Sequence, residues 1–396
     1  MKHTKVVIVG GGFGGVKAAL ELAKTPDIDV TLISDRDHFT YYPSLYAVAT
    51  GGSNRQSFVP LSKIFDHTSV KIVVDSIEGY EPQRKLVRGA QGEYSFDKVI
   101  FALGVVTSYF GIKGLDTYSF GIKSVKEIEA FRKHIHDEMV SDHKIDKQYV
   151  VVGAGPTGVE LSASLAHHIQ HIASAHHIRH SKIRIKLVEA APRVLPRMSE
   201  DASYMVHKRL IDLGVDVMVN ETVEWQDDDE VYVSGRSIPT KTVIWTSGVS
   251  NNPFFEAHSD HFVFSPNKKI IVDTHMMAND HTYVIGDNAY TPFSGLAQTA
   301  LHDALFVTKD IKKIVKKQPR PEYKVVKPPV VVPVGDHWAV LEWNFILIGD
   351  YIGHLIRRAA DFIGYNDMLP VGLAFLSWRS ESRLEYGCQT CQQLSD

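Results

Sequence analysis

Apolar residues fall along this chain in two rhythms. Short, mainly apolar stretches at 6–9, 30–33, 98–103, 149–152, 183–188, 242–245 and 282–285 have the length of strands in a sheet covered on both faces, the habit of a parallel sheet. Between them lie segments whose apolar residues recur three and four apart. These predict helices from the first glycine cluster to about Lys24, over 124–139, and after Gly158. The alternation predicts an α/β chain. Further strand-like stretches stand at 70–74, 85–88 and 269–273, and a helix is expected from near Ser294.

Two runs end in the same device. Residues 6–9 lead into Gly10-x-Gly12-x-x-Gly15, with Phe13 and Gly14 inside the turn. Residues 149–152 lead into Gly153-x-Gly155-x-x-Gly158, with Pro156 and Thr157 inside it. In a strand–turn–helix setting the first glycine permits the sharp turn and the second admits a pyrophosphate close to the backbone. The third lets helix and strand pack, with the helix N-terminus facing the phosphates. One such motif alone is also an ordinary strand–helix turn. Two in one chain point to two dinucleotides, and hence to a flavoprotein passing electrons between a nicotinamide and a flavin.

The second strand of each unit should end near an adenosine ribose. In the first unit Ser34 follows the strand, and Asp35 is the candidate acid. In the second, Glu189 closes the strand, where a carboxylate binds ribose hydroxyls and repels a 2′-phosphate, favouring NADH. Ala102-Leu103-Gly104 ends an apolar strand and brings backbone toward the cofactor, as does Gly248. Gly286-Asp287 follows another strand, and Asp287 is placed to take a sugar-chain hydroxyl or to cap a helix.

The 396 residues suggest two or three domains, and a net charge of −3 gives no pull toward nucleic acid. No secretory leader and no spanning run of apolar residues is visible. The two cysteines, Cys388 and Cys391, exclude a disulfide framework and are expected to carry no role. Histidines 167, 168, 171, 176, 177 and 180 crowd one predicted helix. With no cysteine or carboxylate beside them in sequence, they are expected to form a solvated polar face, and no metal site is assigned. Toward the C-terminus a lysine-rich run (309–327) precedes Trp338, Trp343 and Trp378. Ile348, Ile352, Leu355, Ala359 and Phe362 recur at helical steps beside Arg357 and Arg358. That pattern describes a helix lying in a membrane interface; a dimer interface, or packing against the core, explains it as well.

These motifs together resemble the type II NADH:quinone oxidoreductases over nearly the whole chain. The resemblance rests on residues 9–15; Pro43, Leu45, Tyr46, Val48 and Ala49; Ala102 to Gly104 with residues 109–112; and residues 153–161. It continues through 187–190, 245–249, 285–287, and Ala297, Gln298 and Ala300. It implies two Rossmann-like domains, FAD-binding (1–111 and 251–327) and NADH-binding (112–250), and a C-terminal membrane-attaching or dimerisation segment (328–396). It implies non-covalent FAD, NADH as electron donor, and a quinone pocket at Ala297, Gln298 and Ala300. Glu160 would stand at the nicotinamide–flavin junction, and the enzyme would be a peripheral homodimer on the cytoplasmic side of the membrane that pumps no protons. Ser34 departs from the family's acid at the FAD ribose. The cysteines that disulfide reductases and sulfide:quinone oxidoreductases place near the flavin do not occur here. A soluble NADH:acceptor reductase and a redox-signalling flavoprotein are the alternative readings.

Overall fold

A computed structural model describes residues 3–142, 148–178 and 183–393. Its main sheet has six strands in the order Met277–Asn279, Thr282–Val284, Lys98–Phe101, Thr4–Val9, Ile28–Ser34 and Lys71–Val74. All neighbours are parallel except the Met277–Asn279 edge. The central strand Thr4–Val9 is buried on both faces of the sheet, Val6 and Ile8 on one and Val7 and Val9 on the other, which is why the sequence shows an unbroken apolar run there. The helices Phe13–Leu22 and Ala297–Val315 pack together beside this sheet.

A second sheet is four-stranded and wholly parallel, in the order Val215–Val219, Ile185–Glu189, Tyr149–Val152, Thr242–Trp245. Helix Pro156–Ala175 follows its central strand, and helix Val125–Asp142 packs beside that helix. An antiparallel ribbon of Val105–Thr107 against Val249–Asn251 links the two units where the chain leaves and re-enters the first. The fold is therefore two dinucleotide-binding α/β units, the second inserted into the first.

Local signals were sound for the strands and softer at their edges. Residues 269–273 do not form a ladder; Ile270 makes single bridges to Phe264 and Ala289 instead. The helix expected near Ser294 begins at Ala297, because Leu296 before it is extended. The lysine-rich run is helical only to Val315. Arg320 in its far part is turned inward, donating from Nη2 to the fully buried Asp310 at 2.6 Å.

The C-terminal segment folds as a three-stranded antiparallel sheet (Val330–Pro333, Ala339–Trp343, Ile346–Ile348) and the helices Asp350–Met368 and Val371–Arg379. It packs into both units: Tyr365, Met368 and Ala374 join the core of the first, and Val332, Val340 and Cys391 that of the second. Gly353 lies so close to the sheet that a Cβ there would come within 2.0 Å of Ala339 O. Helix Asp350–Met368 is inverted relative to an ordinary surface helix. Its inward face carries Gly353, Arg357, Asp361, Tyr365 and Met368, while Ile352, Leu355, Phe362 and Ile363 face outward. Arg357 was expected among arginines flanking a membrane-facing stripe; it is 8% exposed and points into the protein. Arg358 stacks over Trp378, 4.7 Å from its ring centroid. No helix among the described residues is long and apolar enough to cross a membrane.

Candidate active site

The two glycine turns are built alike. Gly10 (φ +118°) and Gly153 (φ +102°) sit in conformations that favour glycine, and a Cβ on either would collide with the neighbouring strand end, at Ala102 O (2.1 Å) or Ser247 Oγ (2.1 Å). A Cβ on Gly15 would meet Gly10 O at 1.9 Å, and one on Gly158 would meet Gly153 O at 1.8 Å, so the third glycines let helix and strand close up. The second glycines differ: a Cβ on Gly12 or Gly155 meets nothing within 4 Å. Each faces open space at the N-terminus of a helix whose first N–H groups have no partner within the helix. Both turns therefore fit a pyrophosphate, which a side chain at the second glycine would displace.

Strand ends supply the rest of the first cradle. Gly104 and the fully buried Asn288 exchange a pair of hydrogen bonds: Gly104 N donates to Asn288 Oδ1 (2.9 Å), and Asn288 Nδ2 donates to Gly104 O (2.6 Å). The Gly286 N–H donates to Asp303 Oδ2 at 2.9 Å, fixing the turn that carries Asp287. Burial raises the Asp287 carboxyl above its usual range, opposed by the Lys269 charge, a Gly295 N–H and Arg197. Ala297 and Gln298 form the first turn of the following helix, with Gln298 exposed; Ala300 lies against Gly14 and Gly286. Asp35 has its carboxylate on Arg36 (3.1 Å) and is largely exposed. Ser34 is buried at the strand end under Gly11, with its hydroxyl accepting from Arg36 N.

In the second cradle, Glu189 reaches back to the glycine turn. Its carboxylate accepts from Ala154 N (2.6 Å) and Ala191 N (2.8 Å), which holds it at the strand end. Gly248 (φ +69°) packs against Ser108 O and Phe110 at the inter-unit ribbon.

Between the units lies a cluster that the sequence did not disclose. Glu160, 7% exposed on the first turns of the second glycine-loop helix, stands 3.5 Å from Arg357 Nη1. Arg357 Nε donates to Asp361 Oδ2 at 2.5 Å, and its other nitrogens donate to Pro43 O (2.9 Å) and Val331 O (3.2 Å). Tyr41 Oη donates to Asp361 Oδ1 (3.1 Å), and its ring stacks on Tyr365 at 4.2 Å. One guanidinium thus joins the helix of the second glycine turn, the first unit's Tyr41–Pro43 segment and the C-terminal helix. Burial pushes the Glu160 carboxyl up to about 8, with Arg357 restraining the shift. Burial and the nearby Asp361 push Glu381 up to about 8 as well. Three carboxyls, Glu160, Asp361 and Glu381, face only two guanidiniums here, Arg357 and Arg358, and that excess together with burial favours the protonated form. The one sequence signal that could have pointed to it is the pair Arg357 and Asp361, four residues apart on a helix whose other side is apolar.

The histidine-rich helix departs from expectation. His168 is 1% exposed, and the C-terminal tail folds across that face. Tyr386 stacks on His171 (4.4 Å) and His168 (5.7 Å), while Cys388 and Cys391 come to His176. The expectation of a solvated polar face therefore fails at His168, His171 and His176, whose covering residues are remote in sequence and adjacent only in the fold, while His167 and His177 stay exposed. His180 lies outside the described residues.

Comparisons with known proteins agree with this geometry. The chain is 29% identical to the type II NADH:quinone oxidoreductase NdhA of Mycobacterium tuberculosis, over 94% of this chain and 86% of that one. It is 27% identical to the type II NADH:quinone oxidoreductase of Staphylococcus aureus, over 84% and 88%. NDH2 from Plasmodium falciparum in complex with NADH superposes with a TM-score of 0.84 at 18% identity, covering 96% of this chain and 98% of that one. Sulfide:quinone oxidoreductase from Aquifex aeolicus shares the fold at a TM-score of 0.77 and 16% identity, over 96% and 91%. With its family match running over residues 4–304, through both glycine turns and the Gly286–Asp287 turn, the chain belongs to the pyridine nucleotide-disulphide oxidoreductase family.

Proposed function

We propose that this protein is a type II NADH:quinone oxidoreductase: it holds FAD non-covalently, takes two electrons from NADH and delivers them to a membrane quinone without pumping protons. The observation that carries the reading is the pair of pyrophosphate-shaped turns on two sheets of one chain, both open at the second glycine. Near-full-length similarity to proteins of that name supports the choice of substrates. Bound FAD would supply the chemistry of hydride acceptance and electron release.

The chain's own residues do the positioning. Gly10, Gly12, Phe13, Gly14 and Gly15 bring helix N–H groups to one pyrophosphate, and Gly153, Gly155, Pro156, Thr157 and Gly158 to the other. Asp287, held by the Gly286–Asp303 bond, takes a flavin sugar-chain hydroxyl, with Pro43, Ala102 and Gly104 lining that cradle. With Ser34 buried at the strand end, the exposed Asp35 reaches the flavin ribose only by leaving Arg36. Glu189 takes the adenosine ribose of the nicotinamide dinucleotide, selecting NADH over NADPH, and Gly248 borders the same site. Ala297, Gln298 and Ala300 line the quinone side. Glu160 faces the junction between the two dinucleotides and holds its proton there at neutral pH.

The outward apolar face of Asp350–Met368 and Val371–Arg379 supports peripheral attachment to the cytoplasmic face of the membrane. Ile352 and Ile363 are each 61% exposed and Val371 76%, with Phe345, Phe375 and Leu376 also exposed. So many large apolar side chains in one region exceed the scattered exposure of an ordinary monomer surface. A homodimer interface on this face is the second reading.

Three outcomes follow. In stopped-flow measurements, Gln298→Leu slows reoxidation of reduced flavin by quinone about tenfold, the loss expected for one hydrogen bond, and leaves reduction by NADH nearly unchanged. Equal impairment of both halves would remove Gln298 from the quinone side. Glu160, with its pKa raised in the folded protein, contributes stability that falls as pH rises from the ordinary glutamate range toward 8 and then levels off. Unfolding midpoints between pH 5 and pH 9 therefore slope downward more steeply in wild type than in Glu160→Gln; parallel slopes would show that Glu160 is ionised throughout. Finally, the flavin-loaded protein floats with anionic liposomes at low salt, and Ile352→Glu combined with Ile363→Glu abolishes flotation. Wild type that stays in the soluble fraction as a dimer would replace the membrane with the dimer interface.

A further inference from the structure

The tail that covers the histidine-rich helix brings four metal-ligating side chains to one point. His136 comes from helix Val125–Asp142, His176 caps helix Pro156–Ala175, and Cys388 and Cys391 flank the start of the short helix Gln389–Gln393. One ligand atom from each lies within 4.8 Å of every other. His176 Nε2 is 3.5 Å from Cys388 Sγ and 3.4 Å from Cys391 Sγ. A tetrahedral zinc ion with Zn–S of about 2.3 Å and Zn–N of about 2.0–2.1 Å has S···N edges of about 3.5 Å, so these spacings are those of a coordination shell. From this geometry we propose that His136, His176, Cys388 and Cys391 bind one Zn2+ ion, a structural site that fastens the C-terminal tail to the two helices.

The surroundings suit that role. Neither cysteine is in a disulfide, and Cys391 is fully buried. His136 Nε2 is buried with no nitrogen or oxygen to hydrogen-bond, an arrangement that costs free energy unless a further ligand completes it. Its Nδ1 lies 3.4 Å from Asp137 Oδ1, placing a carboxylate behind a ligating imidazole. The imidazole rings of His136 and His176 meet edge to face at 5.2 Å, so both present nitrogens to the same space without stacking. Thiolate and imidazole donors in a closed two-plus-two set select Zn2+ over Mg2+ or Ca2+, and four protein ligands leave no open position for catalysis.

What the ion would hold is an inter-unit strap. Immediately before Cys388 the tail runs along the first unit: Glu385 N donates to Gly51 O (2.8 Å), Ser53 N donates to Arg383 O (3.2 Å), and Ser53 Oγ donates to Glu385 Oε1 (2.7 Å). His171 Nε2 lies 2.9 Å from Cys391 O on the other side. The zinc would therefore tie the NADH-side helices, through the tail, to the loop that follows helix Leu45–Ala49 of the flavin-side unit.

The test uses untagged, full-length, flavin-loaded protein, so that no affinity histidines compete. Elemental analysis after dialysis against metal-free buffer should find about one zinc per chain. Cys388→Ser with Cys391→Ser should lose it while flavin content and circular dichroism stay as in wild type. Substitution by Co2+ should give the intense visible bands of a tetrahedral cobalt thiolate. Ellman's reagent should find both thiols slow to react until a strong chelator is added, and the freed tail should then become sensitive to limited proteolysis. Three results would each overturn the proposal: a metal-free wild type whose thiols react at the same rate with and without chelator, zinc retained in the double serine variant, or a Cys388–Cys391 disulfide that persists in reduced buffer. Should the double variant fail to fold, His136→Gln in its place must weaken zinc retention by more than the roughly tenfold that loss of an outer-shell partner typically costs.

Discussion

A single buried guanidinium, that of Arg357, sets how the two dinucleotide-binding units and the C-terminal segment meet. A charge taken out of water is tolerated only where every donor finds an acceptor and the countercharge is close. Arg357 meets that demand with partners from three places: Glu160 on the second unit, Pro43 O on the first and Asp361 on its own helix. No one unit offers all of them, so the arrangement is satisfied only when the three parts are docked. The same burial raises the pKa of Glu160, with Arg357 restraining the shift and Asp361 adding to it.

Turning charge inward has a consequence for the outside. Helix Asp350–Met368 turns Arg357 and Asp361 to the interior and sets Ile352, Leu355, Phe362 and Ile363 on its outer face. A helix so built presents a continuous apolar surface to the outside, more than the scattered exposure of an ordinary monomer surface. The tail beyond it returns to the histidine-rich helix and closes a loop over both units. Docking in the interior and fastening at the tail thus act on the same relative placement of the units.

How much of this was legible depends on whether the information was local. Gly10, Gly12 and Gly15, with Gly153, Gly155 and Gly158, announced themselves because a turn's backbone requirements are met by residues next to each other in sequence. The buried strands did so because a parallel sheet covered on both faces leaves unbroken apolar runs. The ribbon of Val105–Thr107 with Val249–Asn251 gave no such signal, since each half is three residues long and its partner lies across an entire inserted unit. Arg357 read as a surface arginine because its acceptors, Glu160 and Pro43, are far away in sequence. His136, His176 and the Cys388–Cys391 pair read as unrelated for the same reason. Asp35 stood out as the acid nearest the expected ribose, but a one-residue shift along a strand turns a side chain to the other face, and the inward position belongs to Ser34.

The account stands or falls on electrons passing from NADH through a flavin to a quinone. Anaerobic titration of the purified, yellow protein with NADH, followed by addition of a soluble quinone under the same conditions, tests it most directly. Flavin absorbance should bleach completely at one equivalent of NADH per bound FAD and return fully at one equivalent of quinone. A protein that carries no flavin after reconstitution with FAD, or whose flavin stays oxidised in excess NADH, would contradict it.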